Sequence, residues 1–168
     1  MRTIELEMSG GCQCGAVRYH ITAIRDDAHI CHCRMCQKAA GSYFAPLAGV
    51  PHEAFEWTRG TPGTFLSSDP VERGFCRDCG TPLFYRTIGG DHISIMLGTL
   101  DEPARVPPRR QYGNEARMPF FDTLPHLAGR GTTTEEDSPD LVAAIGQSNH
   151  QHPDHDTGEW PMPQTPKA

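Results

Sequence analysis

Seven cysteines in 168 residues constrain this chain more than any other feature of its sequence. An odd number cannot be consumed by intrachain disulfides. The opening MRTIELEMSGG has neither a basic n-region nor an apolar h-region. The chain is therefore expected to stay in the cytoplasm, where thiols remain reduced and clustered cysteines bind metal. Spacing divides the seven into two sets. Cys12-Gln13-Cys14 and Cys76-Arg77-Asp78-Cys79 are short knuckles, each able to aim two sulfurs at one point. Four thiolates fill the tetrahedral shell of Zn²⁺ and leave no position for a substrate, which makes this a structural site. Gly15 and Gly80 directly follow the second cysteine of each knuckle. A residue without Cβ there lets the backbone curl and turn its amides toward sulfur.

Cys31-His32-Cys33-Arg34-Met35-Cys36 supplies the other three sulfurs. Three sulfurs from one short stretch cap only one face of a tetrahedron, and a fourth ligand must come from elsewhere. His32 sits between two of the cysteines and points away from them in extended chain. The fourth position is either open to water or substrate, as in catalytic zinc, or closed by His29, His32, His52, His92 or a histidine nearer the C-terminus. An exchange of partners between the two sets is a further arrangement. With three thiolates a zinc centre carries net negative charge, which suits it poorly to activating water and well to accepting a thiol. The spacing thus points to two Zn²⁺ per chain, to Cys31, Cys33 and Cys36 as the catalytic cysteines, and to a small thiol as substrate.

From Gly11 to about Leu100, short apolar stretches are punctuated by turn residues at intervals of about 8 to 12, the rhythm of an all-β fold with short helical turns. Val17, Tyr19 and Ile21 alternate with Arg18, His20 and Thr22 and predict a half-buried strand. Residues 28–30 run extended into Cys31, and residues 33–40 form a short helix ended by Gly41. Further strands are expected at 43–47, 55–58, 64–67 and 71–75, with Pro46 marking an edge strand or a bulge. Residues 83–86 and 92–97 flank Gly89, Gly90 and Asp91 as a hairpin. Beyond Leu100 a proline-rich stretch is expected to wrap over the sheet. The hydrophobic content of 37% is concentrated before that point. The expected organisation is a zinc domain over residues 9–130 and a polar, flexible tail over 131–168. In that tail Ser138 and Pro139 introduce a short helix at 141–145, and His150, His152 and His155 lie in solvent.

A formal charge of −6 provides no basic footprint for nucleic acid. No run approaches the roughly 18 apolar residues that span a bilayer, so no membrane association is expected.

Four stretches together, GGCQCGAVRY at 10–19, CHCRMCQKAAGS at 31–42, GFCRDCGTPLFY at 74–85 and ISIMLGTLDEP at 93–103, resemble the glutathione-dependent formaldehyde-activating enzyme family, also called the centromere-protein-V or Mss4-like zinc domain. The resemblance covers about residues 9–127. It implies an Mss4-like all-β fold, a structural zinc on Cys12, Cys14, Cys76 and Cys79, and a second zinc on Cys31, Cys33 and Cys36. It also implies a carbon-sulfur lyase activity on the adduct of glutathione, or a similar small thiol, with formaldehyde or another small aldehyde. Where many relatives carry a histidine-aromatic pair after the proline-rich turn, this chain has Gln111 and Tyr112. Candidates for holding an acidic thiol are Arg34, Lys38, Arg73, Arg109, Arg110 and Arg117, and the pocket walls are expected from residues 109–121 and 41–46. Two other functions fit the same cysteines: a non-catalytic two-zinc binding or scaffold module, and a zinc or redox sensor that releases metal when its thiolates oxidise.

Overall fold

Short strands with one apolar face must pair and stack to bury it. The computed structural model describes residues 1–129, 131 and 138–160. Strands β1 (Thr3–Gly11), β2 (Arg18–Arg25) and β5 (Phe55–Arg59) form a three-stranded sheet in the order β1-β2-β5. The larger sheet contains β3 (His29–Cys31), β4 (Ala45–Pro51), β6 (Gly63–Ser68), β7 (Val71–Phe75), β8 (Pro82–Thr87), β9 (His92–Met96) and β10 (Arg110–Tyr112). Its order is β10-β3-β4-β9-β8-β7-β6, and the pairing of β10 with β3 is parallel while its other pairings are antiparallel. Two short helices, α1 (Arg34–Ala40) and α2 (Pro139–Ser148), and several 3-10 turns complete the chain. The all-β expectation is met.

Alternation along the strands gives the large sheet two different faces. Ala48 and Val50 of β4, Phe84 of β8, and Ile93 and Ile95 of β9 meet Met8, Tyr19 and Ile21 of the small sheet in the main core. The buried Tyr19 hydroxyl is satisfied by Thr99 Oγ1 at 2.8 Å. Alternate residues, Ala45 and Leu47 of β4, Tyr85 of β8 and Met96 of β9, form a second cluster with Cys31, Cys33, Cys36 and Ala40. The helix α1 covers this second face.

The structure departs from the sequence expectations in several places. Strand β1 begins at Thr3, where Ile4, Leu6 and Met8 alternate with acidic residues, so the sheet starts earlier than residue 9. The proline-rich stretch contributes β10 rather than only wrapping the sheet. Pro46 lies in the internal strand β4, not at an edge. It pairs with Ile30, but the β9 ladder starts only at Leu47 opposite Met96, so β4 has one neighbour at the proline, where a missing donor is tolerated.

The C-terminal segment differs most. Residues 132–137 and 161–168 of the expected tail lie outside the described residues. His150 and His155 are exposed as expected, but His152 is 6% exposed, its amide donates to Gln13 O at 2.7 Å, and its ring lies over Gly15. Arg59 donates to the carbonyl and hydroxyl of Thr157. Arg18, expected on the outer face of β2, is 3% exposed because Asp101 and Asp156 enclose it at 2.6 and 2.8 Å. Two carboxylates distant in sequence thereby pay the desolvation cost of one guanidinium.

Desolvation raises the Asp156 carboxyl, and hydrogen bonds from Ser9 and Arg18 more than offset it, leaving the group below the ordinary carboxylate range. A depressed pKa stabilises the fold above the unfolded-state value and ceases to do so as the pH falls through the folded-state value. We expect D156A to lower stability in urea by about 1 kcal/mol at neutral pH, an effect that disappears once acid protonates the wild-type carboxylate. D101A should cost more, about 3 kcal/mol, because the better-buried partner is removed.

Candidate metal centres

The first knuckle is the turn between β1 and β2, and the second is the turn between β7 and β8. Gly15 and Gly80 both adopt φ +77°, a conformation that favours glycine, and each amide bonds back to the carbonyl of Cys12 or Cys76 at 3.0 Å. The Gln13 amide donates to Thr81 Oγ1 at 3.1 Å, joining the two turns directly. The Val17 amide donates to Cys12 Sγ at 3.3 Å. Neighbouring sulfurs lie 3.6 Å (Cys12 to Cys14) and 3.8 Å (Cys14 to Cys76) apart, and all four Sγ atoms fall within 4.8 Å of one another. These separations are far beyond a disulfide bond of about 2.05 Å. They match the edge of a tetrahedron with metal-sulfur bonds of about 2.3 Å, which is about 3.8 Å.

Electrostatics supports the same fit. Burial raises the Cys12 thiol to about 11. Cys79 is also desolvated, but hydrogen bonds from the Thr81 hydroxyl and amide and from Cys14 outweigh that and bring it to about 6. A divalent cation held by the cluster would favour the thiolate form of its sulfurs.

In the second cluster, Cys31 ends β3, and Cys33 caps α1 with its sulfur accepting from the Cys36 amide at 3.4 Å. Cys36 lies one turn into the helix and faces the same side. Gly41, at φ +59°, ends the helix as the sequence indicates. The three Sγ atoms lie within 4.8 Å of one another, and no histidine or carboxylate joins them among the described residues. His32 points away, fully buried, with Nε2 2.9 Å from Gln111 Oε1 and its ring against Phe121. His29 packs edge-on to Tyr112, His52 contacts Gly90 O, His92 is held by Arg25 and Asp91, and His152 lies at the first knuckle. Desolvation and the adjacent thiols raise Cys31 to about 12. Cys33 is desolvated too, yet the Cys36 amide, the neighbouring thiols and the charge of Arg73 hold it below the usual thiol range.

The two expected wall segments meet beside this cluster. Tyr43 packs on Phe120 and Phe44 on Phe121, with ring centroids 5.0 and 5.8 Å apart. Gly113 has φ +67°, and a Cβ there would sit 2.5 Å from the Cys33 amide nitrogen, so this loop passes directly over the cluster. Gln37, unmarked in the sequence, clamps it by donating to His32 O at 2.8 Å and Ala116 O at 2.9 Å. Of the candidate cations, Arg109 pairs with Asp26, Arg117 with Asp122, and Arg34 contacts Gln37. Arg109, Arg110 and Arg117 line an open basin together with Ile30, Gln111 and Asn114. Among the described residues Arg73 alone of these cations touches a cluster sulfur, Nη2 to Cys36 Sγ at 3.3 Å.

The sequence profile described as "Glutathione-dependent formaldehyde-activating enzyme" matches residues 7–114, the stretch that carries every cysteine. The chain belongs to that family. An "Uncharacterized lyase" of Schizosaccharomyces pombe is 30% identical to this chain over 86 residues, covering 50% of this chain and 61% of that protein. A "Putative glutathione-dependent formaldehyde-activating enzyme" of Phaeosphaeria nodorum is 32% identical over 85 residues, covering 48% and 44%. The aligned region is thus less than two thirds of either relative. A solved Rhodobacter sphaeroides protein shares the fold at 20% identity, with a TM-score of 0.52 over 62% of this chain and 99% of that one. No helix among the described residues is long and apolar enough to cross a membrane.

Protein purified without added metal should contain two zinc ions per chain by elemental analysis. C12S or C79S should abolish folding, because metal binding at a closed site is itself folding free energy, whereas C33S should fold and keep one zinc. Equal damage from both classes of variant would contradict two separate centres.

Proposed function

We propose that this family member is a zinc-dependent carbon-sulfur lyase of a reducing cytoplasm, forming or cleaving the adduct of a small thiol such as glutathione with formaldehyde or a similar small aldehyde. One observation carries this reading: four sulfurs converge at one centre and three at the other, with no further side-chain ligand at the second among the described residues. On this reading Cys12, Cys14, Cys76 and Cys79 hold a structural ion, and Cys31, Cys33 and Cys36 hold a second ion with one position left for substrate. Zinc bound there would supply a soft acceptor for a thiol sulfur and favour its ionised form at neutral pH, where a free thiol of pKa about 8.5 is mostly protonated.

The reaction needs no redox partner. In the forming direction the sulfur lone pair makes the bond to the carbonyl carbon, and the carbonyl π pair moves to oxygen, which takes up a proton. In reverse the hydroxyl proton leaves, the carbonyl re-forms, and the carbon-sulfur pair returns to sulfur. The protein's task is to hold the thiol as an anion and position it. Against the desolvation of Cys33, the Cys36 amide, the neighbouring thiols and the charge of Arg73 hold it below the usual thiol range, which favours its thiolate form as a ligand. The arginine-lined basin beside β10 supplies positive charge suited to the carboxylates of an acidic thiol. The loop carrying Gln111, Tyr112 and Gly113 lies against Cys33 and His32, where a substitution would alter substrate choice. The names of the curated relatives support the same activity class.

Thiols add to formaldehyde unaided, so the informative measurement is exchange between free and thiol-bound formaldehyde at equilibrium, followed by magnetization-transfer NMR. For at least one thiol, exchange should be faster with intact protein than with C33S. Equal rates for every thiol and aldehyde tested would assign the chain to the non-catalytic binding module.

A further inference from the structure

Arg73 lies on β7, opposite Phe65 of β6 and Tyr85 of β8, and is 6% exposed. Its guanidinium stacks over the Tyr85 ring at 5.0 Å, Nε donates to Ser67 Oγ at 3.1 Å, and Nη2 donates to Cys36 Sγ at 3.3 Å. The other arginine buried to this degree, Arg18, has two carboxylates. Arg73 has none among the described residues, and a guanidinium does not shed its proton in proteins. Burying such a cation without a counter-anion is strongly unfavourable. The nearest group that could balance it is the Cys36 sulfur, which would do so as a thiolate with a cation bound at the cluster.

We propose that Arg73 is the counter-cation of the three-cysteine centre, a positioning residue that fixes the Cys36 sulfur and offsets the charge of the thiolates. The inference rests on the cluster holding a metal, and it draws on the lyase reading only for the identity of an incoming sulfur. A divalent ion with three thiolates carries one net negative charge, which Arg73 cancels. With a divalent ion held there, the centre and Arg73 together would be neutral, and the charge of Arg73 would offset repulsion of a further thiolate. The four-cysteine centre is built differently. Its sulfurs contact the Val17 amide and the Thr81 hydroxyl, and no cationic side chain hydrogen-bonds them among the described residues.

The test uses the full-length protein loaded with Co²⁺, whose sulfur-to-metal charge-transfer bands report each centre, with affinities obtained by chelator competition. R73M should weaken Co²⁺ binding at the three-cysteine centre by about 10- to 100-fold, the worth of a hydrogen bond to a charged group, and leave the four-cysteine centre unchanged. R73K, which keeps the charge but loses the planar fork, should recover part of that affinity. If R73M does not fold, R73Q replaces it, keeping a neutral donor to Cys36 without the charge, and a smaller loss confined to the three-cysteine centre is expected. Wild-type affinity at the second centre in the uncharged variant, or equal weakening at both centres, would overturn the proposal. Titration of the Co²⁺ protein with 2-mercaptoethanol separates the two readings. Binding that weakens in R73M supports both, whereas a wild-type centre that takes no thiol overturns the lyase reading while selective Co²⁺ loss in R73M still supports Arg73.

Discussion

The small sheet and the large sheet share, beyond their packed core, a junction where the β1–β2 turn and the β7–β8 turn bring four sulfurs to within 4.8 Å of one another. Cys12 and Cys76 belong to the main core, so the junction is built into the packing between the sheets rather than added at their edge. With 37% hydrophobic residues the chain has limited apolar area to bury, and a metal at this junction would supply cross-linking that the core lacks. The C-terminal segment depends on the same junction. His152 covers Gly15, and Asp156 completes the enclosure of Arg18 on the neighbouring strand.

The two clusters assemble the same residue type in different ways. The four-cysteine set is assembled from two turns distant in sequence, so forming it requires the fold. The three-cysteine set comes from one strand end and one helix cap, so its sulfurs are already local, and the fold contributes what surrounds them. That surrounding includes the helix α1, the Gly113 loop and the buried guanidinium of Arg73. Its place on the far face of the large sheet, away from the main core, leaves room for the wall segments 41–46 and 109–121 to meet beside it.

Features set by neighbouring residues were legible in the sequence. Cysteine spacing separated the two clusters, Gly41 marked the end of α1, and Gly89, Gly90 and Asp91 marked the β8–β9 hairpin, because each is a local backbone requirement. The family resemblance rested on the same residues that the profile matches. Features set by distant partners were hidden. The parallel pairing of β10 with β3 leaves no local signal, and Arg18 reads as a surface residue until Asp101 and Asp156 close on it. Arg73 did carry a signal: it falls in the inward phase of the Val71–Phe75 alternation, where a charge needs a partner. The sequence offered it only as one basic residue among six, since the partner is a sulfur on α1 rather than a carboxylate nearby.

On the proposed reading one centre is complete and the other holds a position for a sulfur ligand. Zinc K-edge absorption on the full chain tests this most directly, because it counts sulfurs around the metal without relying on turnover. Averaged over two ions, the account predicts about 3.5 sulfurs per zinc with a light atom making up the remainder, rising to about 4 when a small thiol is added. Four sulfurs per zinc before addition, or an imidazole signal that persists after it, would rule out an open position at the three-cysteine centre.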